Sequence, residues 1–141
     1  FESLKDYADA QTMAKESVYQ KGEKQLADGD YDDATAAYRA AGNYSNAATK
    51  AKEAQYKKGE SLLAAGDYDG ATAAYRAAGN YSGASKKAKE AQYKKGESLL
   101  AAGDYDGATA AYRAAGNYSD AVTKAKAAQY QKGESLLEAG D

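Results

Sequence analysis

Small and apolar side chains return along this chain on two interleaved spacings. Over short stretches they fall three and four apart, as at Tyr68, Ala71, Tyr75 and Ala78, which marks one face of a helix. Over longer stretches the whole arrangement recurs every 37 residues. Tyr19, Tyr56, Tyr93 and Tyr130 mark the period, and Gly22, Gly59, Gly96 and Gly133 each follow by three. Residues 45–81 and 82–118 differ at three positions only, Asn46/Gly83, Ala48/Ser85 and Thr49/Lys86. A fixed period of this length predicts a solenoid, in which each unit buries its apolar face against its neighbours.

One unit reads as two helices. Helix A is expected from Asn46 to Ala65, with Ser45 as its N-cap and with Ala48, Ala51, Gly59, Leu62 and Leu63 on its apolar stripe. Lys50, Lys52, Glu53, Lys57 and Glu60 fall mostly elsewhere. Gly66 supplies the left-handed residue that ends helix A. Asp67 caps helix B, Asp69 adds negative charge at its start, and Tyr68 to Ala78 form its body before Gly79-Asn80 stops it. Bends this short make consecutive helices antiparallel neighbours. Gly59 inside a helix costs about 1 kcal/mol relative to Ala. Its return in every A helix implies a compensating use, the close approach of helix B.

The same residues resemble the tetratricopeptide repeat. Gly59, Leu62, Gly66-Asp67-Tyr68, Ala71, Tyr75 and Ala78 follow that family's spacing, and Gly22/Tyr31/Ala34/Tyr38 and Gly96/Tyr105/Ala108/Tyr112 repeat it. Gln55 stands at the family's early Trp, Lys58 at its Leu, the closing Pro is missing, and the period is 37 rather than about 34. The chain is thus similar to a Tyr-rich, Gly-Asp-Tyr variant found as tandem repeats in bacterial proteins. The expected fold is an all-α, right-handed α-solenoid of antiparallel helix-turn-helix hairpins, with A helices lining one surface and B helices the other.

Residues 1–141 form a single array on this reading. Residues 1–7 are the end of a B helix and a loop, with Phe1 in the slot of Tyr38, Tyr75 and Tyr112. Repeats follow at 8–44, 45–81 and 82–118, and 119–141 form the A helix of an incomplete repeat. A start at Phe1 rather than Met suggests an excerpt or a processed product.

Composition changes this picture in one respect. Leu, Ile, Val and Phe number only 11, a fraction that suggests disorder when net charge is large. Here the net charge is −2, and the apolar load sits in 35 Ala and 14 Tyr, a strong helix former and a large ring with a polar tip. The chain contains no Cys and no His, which excludes disulfides, thiol chemistry and the usual Cys/His zinc sites. No stretch is apolar for the roughly 18 residues a membrane span needs. Membrane insertion and a signal peptide are not expected.

Candidate chemistry is sparse. No nucleophile, base or metal set stands out, so neither catalysis nor a cofactor is expected. Asp67 with Asp69 lacks the further ligands of a calcium loop and reads as helix capping. The lysines Lys50, Lys52, Lys57, Lys58, Lys86, Lys87, Lys89, Lys94 and Lys95 read as a solvated face rather than a nucleic-acid track. The resemblance implies a groove lined by A helices that holds extended peptides. Carried over, Tyr56, Lys57 and Glu60 face it, with Tyr93, Lys94 and Glu97, with Tyr130, Gln131 and Glu134, and with Tyr19 one repeat earlier. Packing between successive A helices is the alternative use of these tyrosines. Gly22, Gly59, Gly96 and Gly133, with Tyr31, Tyr68, Tyr105, Tyr38, Tyr75 and Tyr112, are expected to be structural.

Functionally, a non-catalytic scaffold or spacer for a protein or peptide partner is expected. The alternatives are a structural protein stacking end to end with copies of itself, extracellular or at the cell surface, and a consensus-designed repeat. A scaffold outside such a filament would be cytoplasmic.

Overall fold

A computed structural model describes residues 2–140. Among them run seven α-helices: α1 (Glu2–Asp28), α2 (Tyr31–Ala41), α3 (Ala47–Ala64), α4 (Tyr68–Ala77), α5 (Ala84–Ala101), α6 (Tyr105–Ala115) and α7 (Ala121–Glu138). One 3₁₀ turn, Tyr81–Gly83, precedes α5. Odd-numbered helices are A helices and even-numbered ones B helices. Every extensive helix contact joins neighbours along the chain. The fold is an all-α helical-repeat solenoid, as the 37-residue period predicts.

Local sequence sets the helix ends. Gly66 takes φ +81°, its N–H donates to the Leu63 carbonyl (3.1 Å), and the Asp67 N–H donates to the Leu62 carbonyl (2.9 Å). That pair of bonds satisfies the last carbonyls of α3 and turns the chain into α4. Asp67 and Asp104 cap α4 and α6 as expected, accepting from the Gly70 N–H (2.9 Å) and the Gly107 N–H (2.8 Å). Asp30 makes no such bond. The reason lies three residues on: a Cβ at Gly70 would run into the Asp67 carboxylate, and the first unit carries Asp33 at that slot.

Three expectations need correcting. Ser45 is not the N-cap. It adopts φ +50°, as do Ser82 and Ser119 at +46° and +48°, and reverses the chain so that Asn46 precedes the first turn. The buried stripe of helix A is Ala47, Ala51, Ala54, Gln55 and Gly59, with Ala48 exposed and Leu62 and Leu63 half-buried. Finally, α1 runs unbroken from Glu2 through the place where a loop is expected. Lys5 replaces the helix-ending glycine of Gly42, Gly79 and Gly116, and Ala8 replaces the left-handed serine. Nothing there stops a helix. Phe1, assigned to the slot of Tyr38, lies outside the described residues.

The core sits between hairpins. Ala71, Tyr75 and Ala78 of the second unit cluster with Ala84, Ala88 and Ala91 of α5, and equivalent clusters flank it on either side. Tyr38, Tyr75 and Tyr112 are the largest fully buried side chains. Each ring lies on a glycine of the preceding A helix: a Cβ at Gly59 or Gly96 would stand 2.8 Å from the ring of Tyr75 or Tyr112, and one at Gly22 3.0 Å from Tyr38. Burying a ring of this size contributes about 1.5–3 kcal/mol, more than the roughly 1 kcal/mol that glycine costs the helix.

Gly133 has open space where its Cβ would be. Gly133→Ala should therefore raise stability, by up to about 1 kcal/mol. Gly59→Ala and Gly96→Ala should each lower it by about 1–3 kcal/mol through overpacking, despite the same gain in helix propensity. Thermal or urea unfolding of the three variants decides the signs.

Candidate functional site

The A-helix tyrosines stand in aromatic trios. Tyr56 packs edge-to-face on Tyr75 of α4 and on Tyr81 of the following loop, with ring centroids 5.3 and 5.4 Å away. Tyr19 meets Tyr38 and Tyr44, and Tyr93 meets Tyr112 and Tyr118, at 5.4 Å each. Such pairs add about 0.5–1.5 kcal/mol beyond area burial. All three stay half-exposed. The Tyr19 hydroxyl donates to Asn46 Oδ1 and that of Tyr93 to Asp120 Oδ1, both at 2.5 Å. The bond to Asp120, with partial desolvation, pushes the Tyr93 hydroxyl up to about 12. Tyr130 is exposed, because no B helix lies over α7 among the described residues.

The glutamates expected beside these rings are all exposed, and their surroundings differ by repeat. Glu23, in the slot of Glu60 and Glu97, accepts from the Tyr38 hydroxyl and pairs with Lys50 (3.4 Å). The buried hydroxyls of Tyr75 and Tyr112 have no partner among the described residues. Burial holds the Tyr75 hydroxyl at about 12. Lys57 and Lys94 lie along Glu53 and Glu90 (3.6 and 3.8 Å), which also take Lys50 and Lys87 (3.3 and 3.2 Å). Glu134 lies near the open end of α7, beside Tyr130 in sequence and with no cation within 4.0 Å among the described residues.

The lysines are more than a solvated face, and the aspartates of the A-to-B turns do more than cap. Lys95 Nζ lies 2.8 Å from Asp69 Oδ2, Gln92 Nε2 donates to Asp69 Oδ1 (3.2 Å) and to Thr72 Oγ1 (2.8 Å), and Thr72 is buried. Lys58 and Gln55 bind Asp32 and Thr35, and Lys132 and Gln129 bind Asp106 and Thr109, in the same way. Each set fastens a B helix to the next A helix. Sequence reasoning took Gln55 for a departure from a family pattern. Its signal was an Asp-x-x-Thr answered by a Gln-x-x-Lys in the next unit, in three copies.

With the hairpins, the glycine slots and this fastening in view, comparison with known families is decisive. The tetratricopeptide repeat pattern matches residues 19–85 and again 56–122, well over half of the chain. The chain belongs to the tetratricopeptide repeat family. No curated protein matches it significantly. Tetratricopeptide repeats generally mediate protein interactions, and the family is generally non-catalytic. No helix among the described residues is long and apolar enough to cross a membrane.

In this tetratricopeptide array the fastening aspartates titrate with folding. Hydrogen bonds from the lysine, and then from the glutamine, hold the Asp32, Asp69 and Asp106 carboxyls below the usual carboxylate range. A group lowered on folding adds stability that is fully present above its unfolded value, near 3.9, and is lost as pH falls through the folded value. The combined variant Asp32→Asn, Asp69→Asn, Asp106→Asn should flatten the fall in melting temperature between pH 5 and about pH 2.5. An unchanged slope would remove these carboxylates from the account.

Proposed function

We propose that this array is a non-catalytic scaffold that holds a protein or peptide partner along its A-helix face. The observation that carries this reading is the recurrence there, every 37 residues, of a half-exposed tyrosine beside an exposed glutamate: Tyr19, Tyr56/Glu60 and Tyr93/Glu97, with Tyr130 and Glu134 both exposed. Rigid amphipathic rings give contact area at little entropic cost. Their backs are already packed on Tyr75 and Tyr112, which holds them in place for a partner. The glutamates favour an extended segment with basic groups at about one-repeat spacing.

Peptides selected on the intact chain by display provide the test. Glu60→Lys with Glu97→Lys should weaken them about tenfold or more while leaving the melting temperature within a few degrees. Equal binding by wild type and variant would place the partner elsewhere.

One observation favours a second reading, head-to-tail association. The α7 face that meets a B helix in α3 and α5 is uncovered among the described residues, with Tyr130 70%, Leu136 44% and Leu137 77% exposed and Gly133 open. A contact of that kind joins unlike surfaces and builds filaments when it does not close. Sedimentation at rising concentration should then show chain growth, and a monomer at high micromolar concentration excludes it.

A further inference from the structure

The three positions at which residues 82–118 depart from residues 45–81 are Gly83, Ser85 and Lys86. All three line one cleft of about 750 Å³, which Lys89, Asn117 and Ser119 help to close. It lies between two successive B-to-A loops, away from Glu60 and Glu97. Where Asn46, Ala48 and Thr49 lead into α3, Gly83, Ser85 and Lys86 lead into α5: an amide side chain is lost, the hydroxyl moves by one position and a cation is gained. The missing side chain at Gly83 leaves room in the cleft, and Lys86 makes it more basic.

Charge segregation along the array strengthens that field. Asp67, Asp69, Asp104 and Asp106 crowd the A-to-B turns at one edge. Arg76 and Arg113 lie in the last turns of α4 and α6, at the opposite edge with the cleft, and neither has a carboxylate within 4.0 Å among the described residues. Lys86 is exposed and has no such partner either. Lys89 Nζ is held at 2.9 Å by Asn117 Oδ1, a neutral acceptor that leaves its charge uncompensated. No carboxylate lines the cleft; neighbouring Asp120 accepts from the Tyr93 hydroxyl, a neutral donor that leaves its negative charge in place, so the two lysines of the cleft face one nearby anion. The result is a concave site with two cations, three hydroxyls (Ser85, Tyr118 and Ser119) and an amide, a two-lysine composition that the other B-to-A loops among the described residues do not repeat.

From this we infer that the Gly83–Lys86 cleft receives carboxylate side chains of an acidic segment in the partner protein. The inference rests on the scaffold reading above and adds a second, oppositely charged contact to it. A peptide is the occupant because Arg76, with no carboxylate within 4.0 Å among the described residues, lines an adjoining cleft together with Ser85 and Lys89, so an extended acidic chain can follow the cations beyond the first cleft.

Fluorescein-labelled hexaglutamate, followed by anisotropy on the full chain at low ionic strength, tests it. Saturable binding is expected, weakened at least tenfold by Lys86→Thr and less than twofold by Lys24→Thr, which removes an exposed lysine of α1 far from the cleft. Lys86→Thr restores the residue that the preceding repeat already folds with, so its melting should not change. Ala48→Ser with Thr49→Lys should create a second binding step. Absence of binding to wild type, or equal losses in both lysine variants, overturns the inference. So does binding of inorganic phosphate or of oligothymidylate that exceeds hexaglutamate and depends on Lys86, since the occupant is then another anion. If hexaglutamate fails while the Glu60/Glu97 variant still loses its selected peptides, the cleft alone falls and the scaffold stands.

Discussion

The structure depends on a tyrosine ring lying where a glycine has no side chain. Tyr75 is fully buried on Gly59, and the same ring closes the core against Ala84, Ala88 and Ala91 of the next hairpin. One residue thus joins three helices. A single hairpin supplies only two of them, so the ring is covered only when a further A helix follows. That is why stability accumulates along the array rather than residing in a centre. It also explains how a chain with so few Leu, Ile, Val and Phe residues folds: alanine lets helices approach closely, and tyrosine fills the space at regular intervals.

The second constraint is polar and directional. Asp69, Thr72, Gln92 and Lys95 fix the register between one hairpin and the next, and only the buried Thr72–Gln92 bond is shielded from water. The exposed ion pair contributes at most about 1 kcal/mol. Its value lies in orientation, because a stack of near-uniform alanine faces offers little resistance to sliding. In the first A helix, Val18 occupies the glutamine slot. That helix cannot accept the same polar fastening from a preceding B helix.

Much of this was legible in the sequence, for a physical reason. Gly66, Gly79, Asp67 and Asp104 act through their own backbone or through the next turn, so period and spacing alone place them. Tyr75 and Gly59 were recoverable because their recurrence demanded a shared use. The A-helix face was legible only as a family expectation, and its chemistry depends on Glu23 reaching Tyr38 while Tyr75 and Tyr112 keep bare hydroxyls. Such differences between like residues arise from rotamers and neighbours, which spacing does not encode. Ser45 was misread because serine both caps helices and tolerates a tight reversal, and the choice is made by the loop as a whole. The unbroken α1 was readable in principle: Lys5 and Ala8 simply lack the residues that make the loop elsewhere.

Near-exact repetition poses its own problem for recognition. Identical units present identical surfaces, so a partner can slide by one repeat at no cost. An array of this kind needs a symmetry-breaking element if a partner is to bind in one register. Positions 46, 48 and 49 of the unit can supply it cheaply, because Asn46, Ala48 and Thr49 are exposed and lie outside the tyrosine–glycine contact and the Asp–Thr–Gln–Lys fastening, Asn46 only accepting from the Tyr19 hydroxyl. Substitution at 48 and 49 leaves the core and the fastening untouched, whereas at 46 it changes the acceptor offered to the tyrosine of the preceding A helix, as Gly83 and Asp120 do. In the third unit the same slots hold Gly83, Ser85 and Lys86, and in α7 and its approach they hold Asp120, Val122 and Thr123. Between the second and third units variation is therefore confined to the B-to-A edge, and that edge can mark one repeat from the next.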